Sequence, residues 1–138
     1  MPLARDLLAI GFTGTRHGMS ELQKQIVLDL LVKYAPREFH HGDCVGADVE
    51  ASQLSYAAGC LIVCHPPIDE SLRAFAAAHR VYPALSYFAR NRNIVDWTGR
   101  MIACPYDRSG KGGTWYTINY ARKKQKPLDI VYPDGSIE

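Results

Sequence analysis

The sequence predicts an α/β domain of the Rossmann-like, doubly wound type, with a mostly parallel five-stranded sheet in the order 3-2-1-4-5 and helices on both faces. Three observations lead there. Short, continuous apolar runs suit strands covered on both faces. These runs alternate with segments of helical periodicity. Polar, glycine-bearing loops follow three of the runs, where such sheets bind ligands beyond the carboxyl ends of their strands.

Leu7-Leu8-Ala9-Ile10-Gly11-Phe12 is the first apolar run, and Thr13-Gly14-Thr15-Arg16-His17-Gly18 reads as the loop after it. Ser20 reads as an N-cap with Gln23 completing a capping box, and Leu22, Ile26, Leu30 and Tyr34 recur at helical spacing. Pro36 closes that helix. Glu38-Phe39-His40-His41 is a short second strand, followed by the loop Gly42-Asp43-Cys44-Val45-Gly46. A second helix opens at Ala47, and Gly59 is placed to end it in a left-handed conformation. Residues 60–64 form the third strand. Asp69 or Ser71 caps a short helix through Leu72, Phe75 and Ala76, and residues 85–97 form a longer one with Phe88, Ala89 and Val95 inward. Residues 101–104 are the fourth strand. The loop Gly110-Lys111-Gly112-Gly113-Thr114 leads into a helix over 114–124, and residues 128–132 are the fifth strand.

With 138 residues, 47% hydrophobic and 22% charged, the chain suits one domain, 1–138, with a packed core. Its net charge of +2 gives nucleic acid little support as a partner. No apolar run is long enough to span a bilayer, so no membrane partner is expected. Met1 to Asp6 lack the apolar core of a secretory signal, and a cytoplasmic location follows. The cysteines Cys44, Cys60, Cys64 and Cys104 then read as reduced thiols, with no metal site and no cofactor expected.

Strand, glycine-rich loop and helix together offer backbone N–H groups to a phosphate, although the same pattern also makes plain turns. With the 3-2-1-4-5 order, the Thr13 loop faces the loop beyond the fourth strand, and the Gly42 loop sits beside them. Arg16 suits a phosphate or carboxylate, or else an ordinary exposed position. Asp48 can complement a helix N-terminus, bind a ribose or act as a general base, and Asp43 is the other candidate carboxylate. Trp115 and Tyr116 read as core residues or as a surface for stacking on a base. A nucleophile elbow, a zincin motif, a G-x-G-x-x-G fingerprint and a Walker A loop are all absent, which argues against hydrolase, dehydrogenase and P-loop classes.

Taken together, the loops resemble the SLOG superfamily of Rossmann-like proteins, which includes DprA and the LOG enzymes, and most closely its YspA-like branch. The resemblance lies in Thr13-Gly14-Thr15-Arg16, in His41-Gly42-Asp43-Cys44-Val45-Gly46-Ala47-Asp48, in Arg90-Asn91-Arg92 and in Gly112-Gly113-Thr114. It implies a nucleotide or nucleotide-derived ligand, with phosphate on Gly112, Gly113 and Thr114. Thr13, Gly14 and Arg16 would close on it, Gly42 and Gly46 would shape the adjoining loop, Asp48 would address the ribose, and Arg90 or Asn91 would line the rim. It also implies homo-oligomerisation.

Two further functions come with the resemblance. One is an N-glycosidase or phosphoribohydrolase acting on a nucleoside monophosphate or NAD-like substrate, with Asp48 or Asp43 as catalytic carboxylate. LOG enzymes carry a catalytic glutamate where this chain has Thr117, a departure that weakens this alternative. The other is a DprA-like nucleic-acid-binding module.

Overall fold

In the computed structural model, which describes residues 8–138, strands and helices alternate as β1 (Ala9–Gly14), α1 (Glu21–Tyr34), β2 (Glu38–His41), α2 (Ala47–Ala57), β3 (Leu61–Cys64), β4 (Arg80–Val81), α3 (Tyr87–Asp96), β5 (Arg100–Cys104), α4 (Gly113–Lys123) and β6 (Leu128–Ile130). The sheet is parallel throughout, with order β4-β3-β2-β1-β5-β6. The order of the five expected strands is reproduced, and β4 adds a sixth at the edge beside β3. Arg80 and Val81 are both exposed, and two residues are too short a run to show a strand pattern. Leu7, expected in the first strand, and residues 1–6, read for a signal, lie outside the described residues.

Strand alternation divides β1 between two cores. Ile10 and Phe12 join Val27, Leu31, Phe39, Ala47 and Ile102 on the face covered by α1 and α2. Phe12 and Phe39 are fully buried with ring centroids 5.7 Å apart, and burial of each contributes about 1.5–3 kcal/mol. On the opposite face Gly11 leaves room for Met101, Thr98 and Ile94, and α3 and α4 pack there against β5 and β6.

α1 begins as expected, with a reciprocal capping box between Ser20 and Gln23. Its buried stripe is rotated from the expected one, because Leu22 is 54% exposed and Gln23 is buried instead. Gln23 Nε2 donates to the carbonyls of Pro105 and Val131 at 3.1 and 2.9 Å. One side chain thus caps its own helix and joins the ends of β5 and β6.

The short helix expected from Asp69 or Ser71 does not form. Its backbone is engaged elsewhere: Ala74 N–H donates to the Asp43 carbonyl, Ala76 N–H donates to Asp43 Oδ1, and the Leu72 carbonyl accepts from Val45 N–H. Cys44 and Arg73 form an isolated antiparallel bridge. α3 covers 87–96 rather than 85–97, and Phe88, expected inward, is 49% exposed. β6 ends at Ile130; Val131 N–H still donates to the Ala103 carbonyl of β5 at 2.8 Å, and Val131 also pairs with Ile137 across the turn at Gly135.

Candidate functional site

β1 pairs with β2 on one side and β5 on the other, so the sheet reverses direction of build-up between β1 and β5. A cleft of about 720 Å³ opens beyond this point, within the range of small-molecule sites. It is walled by Arg16 and His17 after β1, Cys44 after β2, Tyr106 and Asp107 after β5, and the start of α4.

Two helices begin here on glycine N-caps, neither with a side-chain cap. They differ in what meets their first turn. At α2, Ala47 N–H donates to the Thr15 carbonyl at 2.9 Å, so protein backbone reaches that terminus. Gly46 permits this approach: its φ is +88°, and a Cβ there would overlap the Arg16 carbonyl. At α4, the N–H groups of Gly113, Thr114 and Trp115 precede the first intrahelical bond, from Tyr116 to Gly112 at 3.0 Å. Gly112, Gly113 and Thr114 line the cleft, with Lys111 beside them and Arg16 on the opposing loop. Cation side chains and a helix dipole therefore favour negative charge in the same cleft.

The remaining expected residues divide into cleft and scaffold. Thr13 and Gly14 stand in β1 itself rather than in a loop, because β5 pairs with β1 as far as Gly14 opposite Cys104. Thr13 is buried, and a Cβ on Gly14 would lie 2.5 Å from that of Ala47, so Gly14 brings α2 close to the sheet. Gly42 faces the Arg90 guanidinium, which leaves no space for a Cβ.

Asp48 is buried. Its Oδ2 accepts from the N–H groups of Gly42 and Cys44, both at 3.2 Å, and holds the β2–α2 loop shut. Burial raises its pKa to about 6, against the pull of Arg90 and of those two donors. Asp43 is likewise buried, and accepts from Arg73 Nε at 2.8 Å and Ala76 N–H at 2.9 Å. Its φ of +56° is one aspartate tolerates. Neither carboxylate lines the cleft. Asp48, expected on a ribose or as a catalytic group, and Asp43, the other expected catalytic carboxylate, both bond the scaffold.

Arg90, expected at the rim, bonds the scaffold in the same way. Buried on α3, its Nη1 donates to the carbonyls of Gly42 and, at 3.0 Å, His65, tying α3 to the ends of β2 and β3. Asn91 is buried beside it and does not line the cleft. Thr117 is buried, and its hydroxyl donates to the Gly113 carbonyl at 3.1 Å. Trp115 joins the core under α4, while its Nε1–H donates to the Asp107 carbonyl at 3.0 Å and steadies the loop after β5.

The sequence reading passed over Lys111, Asp107, Tyr87 and Tyr106, all of which line the cleft. Lys111 lies inside the glycine loop, and Tyr106 and Asp107 directly follow a predicted strand, so their position was a readable signal. Tyr87 had none, since its hydroxyl meets Gly113 only through tertiary packing. Asp107 is the one carboxylate among the residues lining the cleft, and bonds from Ser109 to it hold its pKa below the usual carboxylate range. Burial and the nearby Asp48 push the Cys44 thiol up to about 11, so it stays protonated at neutral pH.

Neither a protein-family model nor a curated protein matches the chain. Solved structures do resemble it. The molybdenum cofactor binding protein of the phototrophic bacterium Rippkaea orientalis superposes with a TM-score of 0.69 at 22% identity, over 90% of this chain and 76% of that one. The Moco carrier protein of Chlamydomonas reinhardtii gives 0.63 at 19% identity, over 88% and 74%. At such identities the likeness is one of fold: this chain shares the Rossmann-like architecture of these cofactor-binding proteins.

Proposed function

We propose that this chain is a cytoplasmic member of the SLOG superfamily, of its YspA-like branch, that binds a nucleotide or nucleotide-derived small molecule in the cleft between β1 and β5. The observation that carries the reading is the open first turn of α4, set on a glycine N-cap with Lys111 beside it and Arg16 across the cleft. The ligand's phosphate would take the N–H groups of Gly113 and Thr114, as oxyanions do at helix N-termini. Thr13, Gly14, Gly42, Gly46 and Asp48 shape the loops around it, and Arg90 and Asn91 support them from α3.

The N-glycosidase reading loses support, because Asp43 and Asp48 are buried in backbone bonding and Thr117 closes on its own helix. A carboxylate acting in the cleft would have to be Asp107. A second binding reading comes from the fold neighbours: a molybdenum cofactor held as cargo in the same cleft.

Thermal shift and equilibrium dialysis with nucleoside monophosphates, NAD and ADP-ribose test the proposal, with free base monitored in parallel. Binding without base release is expected. Arg16→Ala and Lys111→Ala should each weaken it about tenfold or more, the value of a charge-assisted hydrogen bond. Base release that Asp107→Asn abolishes would instead make the chain an enzyme. Cofactor extracted from a molybdoenzyme, followed by co-eluting molybdenum, tests the second reading.

A further inference from the structure

The cleft carries more aromatic surface than a phosphate needs. Phe88 of α3 and Tyr116 of α4 lie with ring centroids 4.2 Å apart, tilted by 44°. Arg92 Nη1 donates to the Tyr116 hydroxyl at 3.0 Å and fixes that ring. On the loops after β1 and β5, His17 and Tyr106 lie 4.7 Å apart, tilted by 48°. All four rings line the same cleft as the α4 terminus. Phe88 is 49% and Tyr106 61% exposed. Concave sites that pair convergent polar groups with exposed rings are built for ligands having both characters.

Resting on the reading of the cleft as a phosphate-ligand site, we infer that Phe88 and Tyr116 form the platform on which the ligand's planar heterocycle stacks. Both residues stand on helices packed against each other, so the platform is in place before binding, whereas His17 and Tyr106 stand on loops suited to covering the ring's other side. Tyr116 follows Gly113 by three residues, about 4.5 Å along the helix axis, so one small ligand spans both features. Stacking reads the face of a ring and not its edge, which makes the site tolerant of ring identity. Nucleobases and pterins qualify; sugar phosphates and inorganic pyrophosphate do not.

Titration calorimetry with AMP, GMP and ribose 5-phosphate tests this on the wild type and on Phe88→Leu and Tyr116→Leu, which keep apolar bulk. The nucleotides should bind at least about tenfold tighter than ribose 5-phosphate, the scale of one base stacked on an aromatic side chain. Each variant should narrow that gap while binding ribose 5-phosphate as the wild type does, which also reports that the phosphate end is folded. Equal affinity of the wild type for AMP and ribose 5-phosphate overturns the inference and leaves the phosphate reading standing. So does an undiminished gap in Phe88→Leu. Binding of none of the three sinks the phosphate reading itself. Self-association on a sizing column that Phe88→Leu abolishes would assign the rings to a protein interface and overturn the stacking role.

Discussion

Lowering the pH from 7 to 5 should cost the fold about 2 kcal/mol, with two buried histidines responsible. His41 is fully buried and His65 is 2% exposed. Burial pulls their pKa values down from 6.5, to about 4 for His41 and about 3 for His65. The nearby charges of His40 and Arg90 push the same way, against Asp43 at His41. The folded pKa of each lies below the unfolded one, so between the two the unfolded chain binds more protons. The stability they contribute is therefore present above pH 6.5 and lost as the pH falls. From pH 7 to 5 each histidine loses about 1.8 kcal/mol, at about 1.4 kcal/mol per unit. Asp48 opposes them. Its folded pKa of about 6 lies above the ordinary 3.8, so the folded state takes up that proton first. Acidification then returns about 1.3 kcal/mol over the same range. Urea unfolding at both pH values measures the balance, and His65→Gln and His41→Asn test its origin. Each variant will be less stable than the wild type at pH 7, but its further loss on acidification should shrink by about 1.8 kcal/mol. Variants that lose as much as the wild type between pH 7 and 5 would refute the reasoning, since the histidines could not then be held neutral by the fold.

Other perturbations read out the scaffold beneath the cleft. Gly46→Ala forces a Cβ onto the Arg16 carbonyl at a φ of +88° and should destabilise by about 2–4 kcal/mol, seen as a lower urea midpoint at unchanged slope. Gln23→Ala leaves the carbonyls of Pro105 and Val131 without their buried donor and should cost about 2–3 kcal/mol by the same measurement. Asp48→Asn, which keeps the size of the side chain and substitutes a weaker acceptor, should lower stability at pH 7 while leaving ribose 5-phosphate affinity within about twofold. A large affinity loss without loss of stability would return Asp48 to the ligand.

The architecture was legible where one physical signal dominated. Buried parallel strands leave continuous apolar runs, and Ile10 and Phe12, Ile62, and Ile102 mark three of them. Ser20 and Gln23 announced a helix start because capping is local chemistry, complete within four residues. Signals failed where tertiary partners decided. Residues 69–76 have a cap and apolar spacing, yet Asp43 claims their backbone from another loop. Thr13 and Gly14 look like loop residues, yet pairing with β5 extends the strand through them.

The same distinction explains what happened to the candidate site. The three glycine loops do converge, since strand order fixes where loops of a parallel sheet emerge. Which side chains line the cleft is a separate matter, set by local backbone and tertiary partners. Gly46, at positive φ, turns α2 so that Asp48 folds back onto Gly42 and Cys44, and its carboxylate serves the loop. Gly112, also at positive φ, starts α4 with no acidic side chain in the first turn, so nothing on that helix competes for its N–H groups. The two Gly-capped helices thus differ: at α2 the Thr15 carbonyl meets the terminus and Asp48 takes the N–H groups of the preceding loop, while at α4 neither Thr114 nor any other side chain caps the first turn. The unmet demand, rather than the glycines themselves, is what makes the α4 turn the proposed phosphate site and the α2 turn part of the scaffold.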